Sequence, residues 1–295
     1  MGRALFIDGL KGLGDNIYQR PFVRAQAMER EVWLSTPWPE IYADLPVRFV
    51  RTGTTLRTQA LNERRQPART WGNPPAHAAR VRPFYGAGEL RRGSIVQAFE
   101  RFLPLSRTPF VFDLPPMGPA PALATGGKPI AVVRPVTVRK EWRNEARNPR
   151  PEYVAEIARR LMRTHHVVVV AHLAAGEEWL EGELPPHHQA FVRGELDVRG
   201  LLALVRDADV VVGGVGWIVP AAVALRTRAF IVLGGQGGHN APEKITDPRM
   251  DLSRISWARP AAYCRCENMR HACVKTIPDL AEQWTAWAES QGIAA

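Results

Sequence analysis

Arg3-Ala-Leu-Phe-Ile-Asp8 followed by Gly9-Leu-Lys-Gly12-Leu13-Gly14-Asp15 decides the fold. Residues 3–8 read as a short buried strand, and the glycines that follow permit a tight turn. From Asp15 the period changes to that of a helix: Ile17, Phe22, Val23 and Ala27 share one face, with Pro21 an awkward interior residue. Residues 31–36 and 46–51 read as two more strands. Strand, turn, helix and strand in this order predict a parallel sheet with helices on its faces.

Working outward, residues 52–113 have a weaker pattern, whose clearest element is a helix over 95–103. Residues 114–129 are rich in Pro and Gly without periodicity, which marks a linker. The alternation then restarts. Strands are expected at 130–134, 167–171, 209–212 and 229–233, with helices at 151–165 and 198–207, a further apolar one ending at Leu225, and a last one over 278–290. The fold class is therefore α/β, with two Rossmann-like domains. The expected boundaries are 1–113, a linker at 114–129, 130–277, and a C-terminal helix within 278–295.

The composition is that of a globular chain: 295 residues, 45% hydrophobic and 23% charged. The longest apolar run, Val167–Ala171, is too short to span a bilayer. The N-terminus reaches Asp8 after four apolar residues, unlike a signal peptide. Three cysteines fit a reducing compartment and predict a cytoplasmic protein (host cytoplasm if the chain is viral). Arg outnumbers Lys by 34 to 5, for a net charge of +10. A GC-rich genome would produce the bias without function, but the placement is concentrated. Residues 51–110 hold eleven Arg against three Glu, and 134–150 hold five Arg and one Lys against two Glu. Such fields attract phosphates, nucleic acid or acidic lipids.

Gly12-Leu13-Gly14-Asp15 lacks the full G-x-G-x-x-G spacing of a dinucleotide turn. Asp15 lies at the carboxyl end of the first strand, where α/β proteins place ligands. It reads either as a helix N-cap or as a general base. Leu10–Ala25, with its Gly-Leu-Gly-Asp and following Pro, resembles the opening of the heptosyltransferase-like glycosyltransferases of family nine. The order of the second-half elements, Asp207-Ala-Asp-Val-Val-Val212 with its glycine turn, and the late cysteine cluster are similar too. The resemblance covers most of the chain except roughly 52–113. It implies a GT-B fold, two Rossmann-like domains facing a central cleft, and inverting transfer of a sugar from a nucleotide-sugar donor. It implies that Asp15 is the base, that the first domain binds acceptor, and that the second binds donor.

Donor candidates follow the strand ends. They are Gly14, the loop residues Arg134, Thr137, Lys140, Arg143 and Arg147, the carboxylates Glu177 and Glu178, and the glycine turns Gly214, Gly216 and Gly235 with Gln236 and His239. Fixed cations would stabilise a departing diphosphate, and no Asp-x-Asp motif is present, so catalysis is expected to need no metal or other cofactor. Each candidate has a plainer reading: a solvated loop, an exposed helix start, strand-to-helix packing, or an exposed histidine. The family pattern Asp-Ser-Gly-Pro-x-His is broken here by Val215 and Pro220, which leaves a non-catalytic nucleotide- or nucleic-acid-binding module as an alternative. Cys264, Cys266, His271 and Cys273 are either a structural zinc site or free buried thiols.

The basic stretch supplies acceptor candidates Arg64, Arg65, Arg69, Trp71, Arg82, Tyr85, Arg91 and Arg92. They predict a polyanionic acceptor. The favoured one is DNA carrying a hydroxymethylated pyrimidine, as for phage-type DNA-modifying glycosyltransferases, ahead of lipopolysaccharide or another saccharide.

Overall fold

The computed structural model describes residues 4–294; Arg3, read above as strand, lies outside them. The chain divides into two compact units. One runs to Met117 and includes Glu243–Met250; the other comprises Gly118–Pro242 and the chain from Asp251 onward. The sequence placed 243–250 within a continuous stretch from 130 to 277. The linker residues 114–129 carry no helix or strand.

The first unit contains β1 (Leu5–Asp8), α1 (Leu13–Glu29), β2 (Val32–Ser35), β3 (Val47–Val50), α2 (Arg57–Arg65), β4 (Ala79–Val81), α3 (Ala87–Arg91) and α4 (Ile95–Phe102). Its sheet is parallel throughout, in the order β3-β2-β1-β4. Helix α1 continues through Pro21, whose missing N–H and ring would break an isolated helix. The complete burial of Ile17, Phe22 and Val23 offsets that cost. Arg20 is fully buried on the same helix. Its guanidinium donates to both carboxylate oxygens of Asp44 at 2.8 and 2.7 Å, to Ile41 O at 2.8 Å and to Asp113. These bonds tie α1 to the segment that leads into the linker. The returning residues are anchored by Tyr18, which donates to Ile245 O at 2.6 Å, and by Arg249, which pairs with Glu100 at 2.8 Å.

The second unit contains β5 (Ile130–Val133), β6 (Thr137–Arg139), α5 (Pro151–Leu161), β7 (His166–Val170), β8 (Glu178–Leu180), β9 (Gln189–Phe191), α6 (Val198–Asp207), β10 (Val210–Gly213), α7 (Ile218–Leu225), β11 (Arg228–Val232), α8 (Gly237–Asn240), β12 (Ile255–Ala258) and α10 (Leu280–Ser290), while α9 (Pro242–Ile245) starts at its boundary and has its last three residues in the first unit. Six parallel strands follow the order β12-β11-β10-β5-β7-β9. Set aside the two-stranded antiparallel β6–β8 sheet, and this is the 3-2-1-4-5-6 order of doubly wound nucleotide-binding sheets. β7 and β10 are buried at every position, as their β-branched runs predict. Trp284 of α10 is fully buried, edge-on to Phe230 at 5.2 Å.

Candidate functional site

In the first unit the strand order reverses between β1 and β4, and a ligand crevice is expected at their carboxyl ends. Gly12 caps α1 with its backbone in an extended conformation and makes no side-chain cap bond. Asp15 is therefore a residue of the first helical turn and not the N-cap. Its Oδ1 accepts from the Tyr85 phenol at 2.5 Å, and Tyr85 follows β4. A Cβ at position 12 would collide with Asp15 Oδ2, so the glycine makes room for the carboxylate. Gly14 lies inside α1, in this unit.

Beside this pair is a polar cluster that the sequence did not single out. Lys11 donates to Asp8 at 3.2 Å and to Ser35 at 3.0 Å, and Arg80 pairs with Asp8 at 3.0 Å. Burial opposes ionisation of Asp8, but Arg80 and Lys11 outweigh it and hold the carboxyl below the usual carboxylate range. Burial pulls the Lys11 ammonium down, against the attraction of Asp8. An acid at a strand end was the available signal. Arg82 reaches within 4.0 Å of Asp8. Arg64 and Arg65 end α2, and both are exposed, as are Arg69, Arg91 and Arg92. Trp71 is half-buried under the Arg51 guanidinium at 5.4 Å. The structure thus brings Arg82 and Tyr85 to the sheet's carboxyl edge and leaves the other acceptor candidates on the surface around it.

In the second unit the reversal falls between β5 and β10. Arg134 follows β5 there, and its N–H extends the ladder to Val212 O at 2.8 Å. A Cβ on Gly216 would sit 3.1 Å from its guanidinium, and one on Gly213 3.1 Å from its Cβ. These glycines admit the arginine against the turn. Gly214 is packed against Pro149. Burial, and then the nearby Arg147, lower the Arg134 guanidinium to about 10. Arg147 and Arg139 repel the Arg134 charge and Glu178 attracts it, so cations outnumber the carboxylate here and favour an anion beside them. Val215 and Pro220, which replace the family's polar residues, are buried, so this turn offers a ligand backbone groups rather than those side chains.

The remaining donor candidates divide. Thr137 and Glu178 are buried against each other across β6–β8. Glu178 accepts from Thr137 at 3.1 Å and from Arg139 at 2.8 Å. Lys140 and Glu177 are exposed and joined by a backbone bond. Arg143 lies over the Trp179 ring at 5.6 Å. Gln236, 1% exposed, spends its amide on Asn144, Asn240 and Glu267 O. It is a hub of the loop. His239 is half-buried, with its Nε2 enclosed and without a hydrogen-bond partner.

The Gly234–Gly238 run reads from sequence as a flexible ligand loop, but none of its glycines has positive φ. They are required by crowding. A Cβ at Gly234 would strike the backbone of Arg147 and Asn148, and one at Gly235 would strike Cys273. Gly237 and Gly238 donate to Cys264 O and Cys266 O at 2.8 and 3.1 Å. Asn144 and Asn148 complete this frame and were missed by the sequence analysis. Asn148 bonds Thr137 O and Glu181. Their signal was two amides inside an otherwise charged loop.

The cysteine cluster holds this loop. The ligand atoms of Cys264, Cys266, His271 and Cys273 all lie within 4.8 Å of one another. Cys266 and Cys273 sulfurs are 3.5 Å apart, too far for a disulfide. His271 Nδ1 is 3.5 Å from Cys264 and 3.3 Å from Cys273. A tetrahedral ion with bonds of about 2.0–2.3 Å has ligand edges of roughly 3.3–3.8 Å, a range that holds these three separations. Burial and the neighbouring thiols push the Cys266 thiol up to about 12, a cost that a cation would reverse.

With this geometry in place, solved structures give the parallel. TibC, a bacterial iron-containing dodecameric glycosyltransferase from enterotoxigenic E. coli H10407, aligns over 98% of this chain and 76% of its own, at 14% identity and a TM-score of 0.63. TibC in complex with ADP-D-beta-D-heptose aligns over 98% and 77%, at 15% identity and 0.60. The fold is that of the heptosyltransferases. E. coli ADP-heptose LPS heptosyltransferase II aligns over 99% and 100%, at 14% identity and 0.55. A family 9 glycosyl transferase from Veillonella parvula DSM 2008 aligns over 98% and 97%, at 10% and 0.57. No protein-family model matches the chain, and neither does any curated protein sequence. Among the described residues, no helix is long and apolar enough to cross a membrane.

Proposed function

We propose that the chain is an inverting glycosyltransferase that moves a sugar from a nucleotide-sugar donor to a hydroxyl of a polyanionic acceptor. The observation that carries this is Asp15, set at the carboxyl edge of β1 under the Tyr85 phenol in a heptosyltransferase fold. Asp15 takes the acceptor hydroxyl's proton as that oxygen bonds to the sugar's anomeric carbon. The bond from that carbon to the diphosphate breaks, and the nucleoside diphosphate leaves with the electron pair. Arg134 and Arg147 of the second unit stabilise the charge that develops on it. None of these steps calls on a metal. Cys264, Cys266, His271 and Cys273 would hold a metal ion whose contribution is to brace the Gly234–Gly238 loop.

Exposed arginines around the carboxyl edge support DNA with a hydroxymethylated pyrimidine as acceptor. A phosphorylated lipopolysaccharide core is the second reading, favoured by the likeness to the LPS heptosyltransferase. Incubation with a panel of nucleotide sugars and each acceptor, followed by mass spectrometry, tests both. Nucleoside diphosphate release with a matching mass gain on one acceptor supports transfer. No release with any donor overturns it and leaves a binding module.

A further inference from the structure

A parallel sheet with both faces covered buries its central strand at every position, as β7 and β10 are buried. β1 instead alternates: Leu5 and Ile7 are buried, while Phe6 and Asp8 are half-buried. This face carries a row fixed by register, open at its two arginine ends and covered at Trp33, which is buried with Gly72 against its ring. Arg48 of β3 stands beside Trp33 of β2, Trp33 beside Phe6 of β1, and Phe6 beside Arg80 of β4. The Arg48 guanidinium lies 5.2 Å from the Trp33 ring centroid, and that of Arg80 lies 5.1 Å from the Phe6 centroid. Further along, Arg82 reaches toward Asp8, which shares this face. The three arginine side chains are 65%, 66% and 80% exposed.

We propose that this face of the first sheet binds the phosphodiester backbone of nucleic acid, with Arg48, Arg80 and Arg82 each on a separate phosphate. The inference deepens the polyanionic-acceptor reading above and rests on it for its link to catalysis. Stacking on an aromatic ring holds a guanidinium flat; Arg48 also pairs with Glu31 at 3.1 Å and Arg80 with Asp8 at 3.0 Å, and both side chains stay about two-thirds exposed. Arg48 and Arg80 stand three strand spacings apart, about 14 Å. That reach suits a long regular polyanion better than a single phosphate or a compact headgroup. Arg48, Arg80, Arg82 and Lys11 outweigh Glu31, Asp8 and Glu63, the carboxylates on or beside this face, so the patch is complementary to negative charge. The face runs to the edge where Tyr85 meets Asp15, so a strand lying across it approaches the base. Backbone contacts of this kind carry no sequence preference.

The test measures affinity of the full chain for a labelled DNA duplex over a range of salt. Each phosphate contact contributes about 0.9 to the slope of log affinity against log salt. The variant Arg48→Gln/Arg80→Gln/Arg82→Gln is expected to lose about 2–3 of that slope. Arg48→Lys/Arg80→Lys/Arg82→Lys keeps the charges and is expected to keep most of it, which guards against misfolding as the cause. Arg163→Gln/Arg199→Gln/Arg254→Gln removes the same charge from the second unit and is expected to leave the slope unchanged. An unchanged slope in the first variant, an equal loss in the third, or salt-dependent binding to phosphorylated lipopolysaccharide core but not to DNA overturns the proposal. Nucleoside diphosphate release, measured separately, reports on the transferase. DNA binding without any release leaves this face standing, whereas release onto a saccharide without DNA binding removes it.

Discussion

The Tyr85 phenol donates a 2.5 Å hydrogen bond to Asp15 Oδ1 across 70 residues of sequence. It does so because β1 and β4 are neighbours in the sheet, so the segments that leave their carboxyl ends meet. This contact turns a helix-start aspartate into a positioned carboxylate.

Asp15→Asn is expected to lower kcat by roughly 10²–10⁴-fold, the usual span for loss of a general base, with donor affinity nearly unchanged. Stopped assays of nucleoside diphosphate release and a separate binding titration check this. Full activity in that variant would remove the proposed base.

Gly12→Ala puts a methyl group where Asp15 Oδ2 lies. The expected outcome is a fall in kcat without loss of the far-UV CD spectrum, since extended backbone at position 12 accepts alanine. A variant as active as the parent would show that the carboxylate can sit elsewhere.

Arg134 and Arg147 repel one another in the crevice beside β5 and β10. A bound diphosphate relieves that repulsion, so nucleoside diphosphate should raise Tm in proportion to the logarithm of its concentration. Arg147→Ala should weaken the shift, because one of the cations beside the anion is then gone. Calorimetry with and without nucleoside diphosphate reads both results.

Arg20 is fully buried, while its partners Asp44 and Asp113 are 37% and 41% exposed. Arg20→Met should destabilise the first unit by about 2–3 kcal/mol, less than breaking a wholly buried pair, because water screens the carboxylates. Burial opposes the Asp44 charge, but Arg20 outweighs it and holds the carboxyl below 3.8. A depressed carboxyl stabilises above its unfolded pKa, and the contribution fades as pH falls through the folded value. Urea unfolding should therefore show stability falling below about pH 4, with a shallower fall in Asp44→Asn.

Elemental analysis of the purified protein should find one metal ion per chain, bound by the three cysteines and His271. Cys273→Ser should lose it, lower Tm and, on the proposed donor role of residues 234–238, raise the donor KM, because Cys273 packs on Gly235. A chain that binds no metal at any pH would leave the cluster as free thiols.

Much of the architecture was legible in the chain. The valine-rich runs at 167–171 and 209–212 read as strands, the first of them as one buried on both faces, and the glycine turn before Asp15 marked the junction of β1 and α1. Both depend on neighbours in sequence, whose spacing sets the period of burial. Other features depend on residues far apart. Tertiary structure alone returned residues 243–250 to the first unit, where Tyr18 and Glu100 bond to them. It alone spent Gln236 on internal amides, brought the ligand atoms of Cys264, Cys266, His271 and Cys273 within 4.8 Å of one another, and showed that the glycines at 234–238 answer crowding and not flexibility. It alone laid Arg48, Trp33, Phe6 and Arg80 in one row. Strand order and the approach of one loop to another determine these contacts, and neither leaves a periodic trace in the sequence.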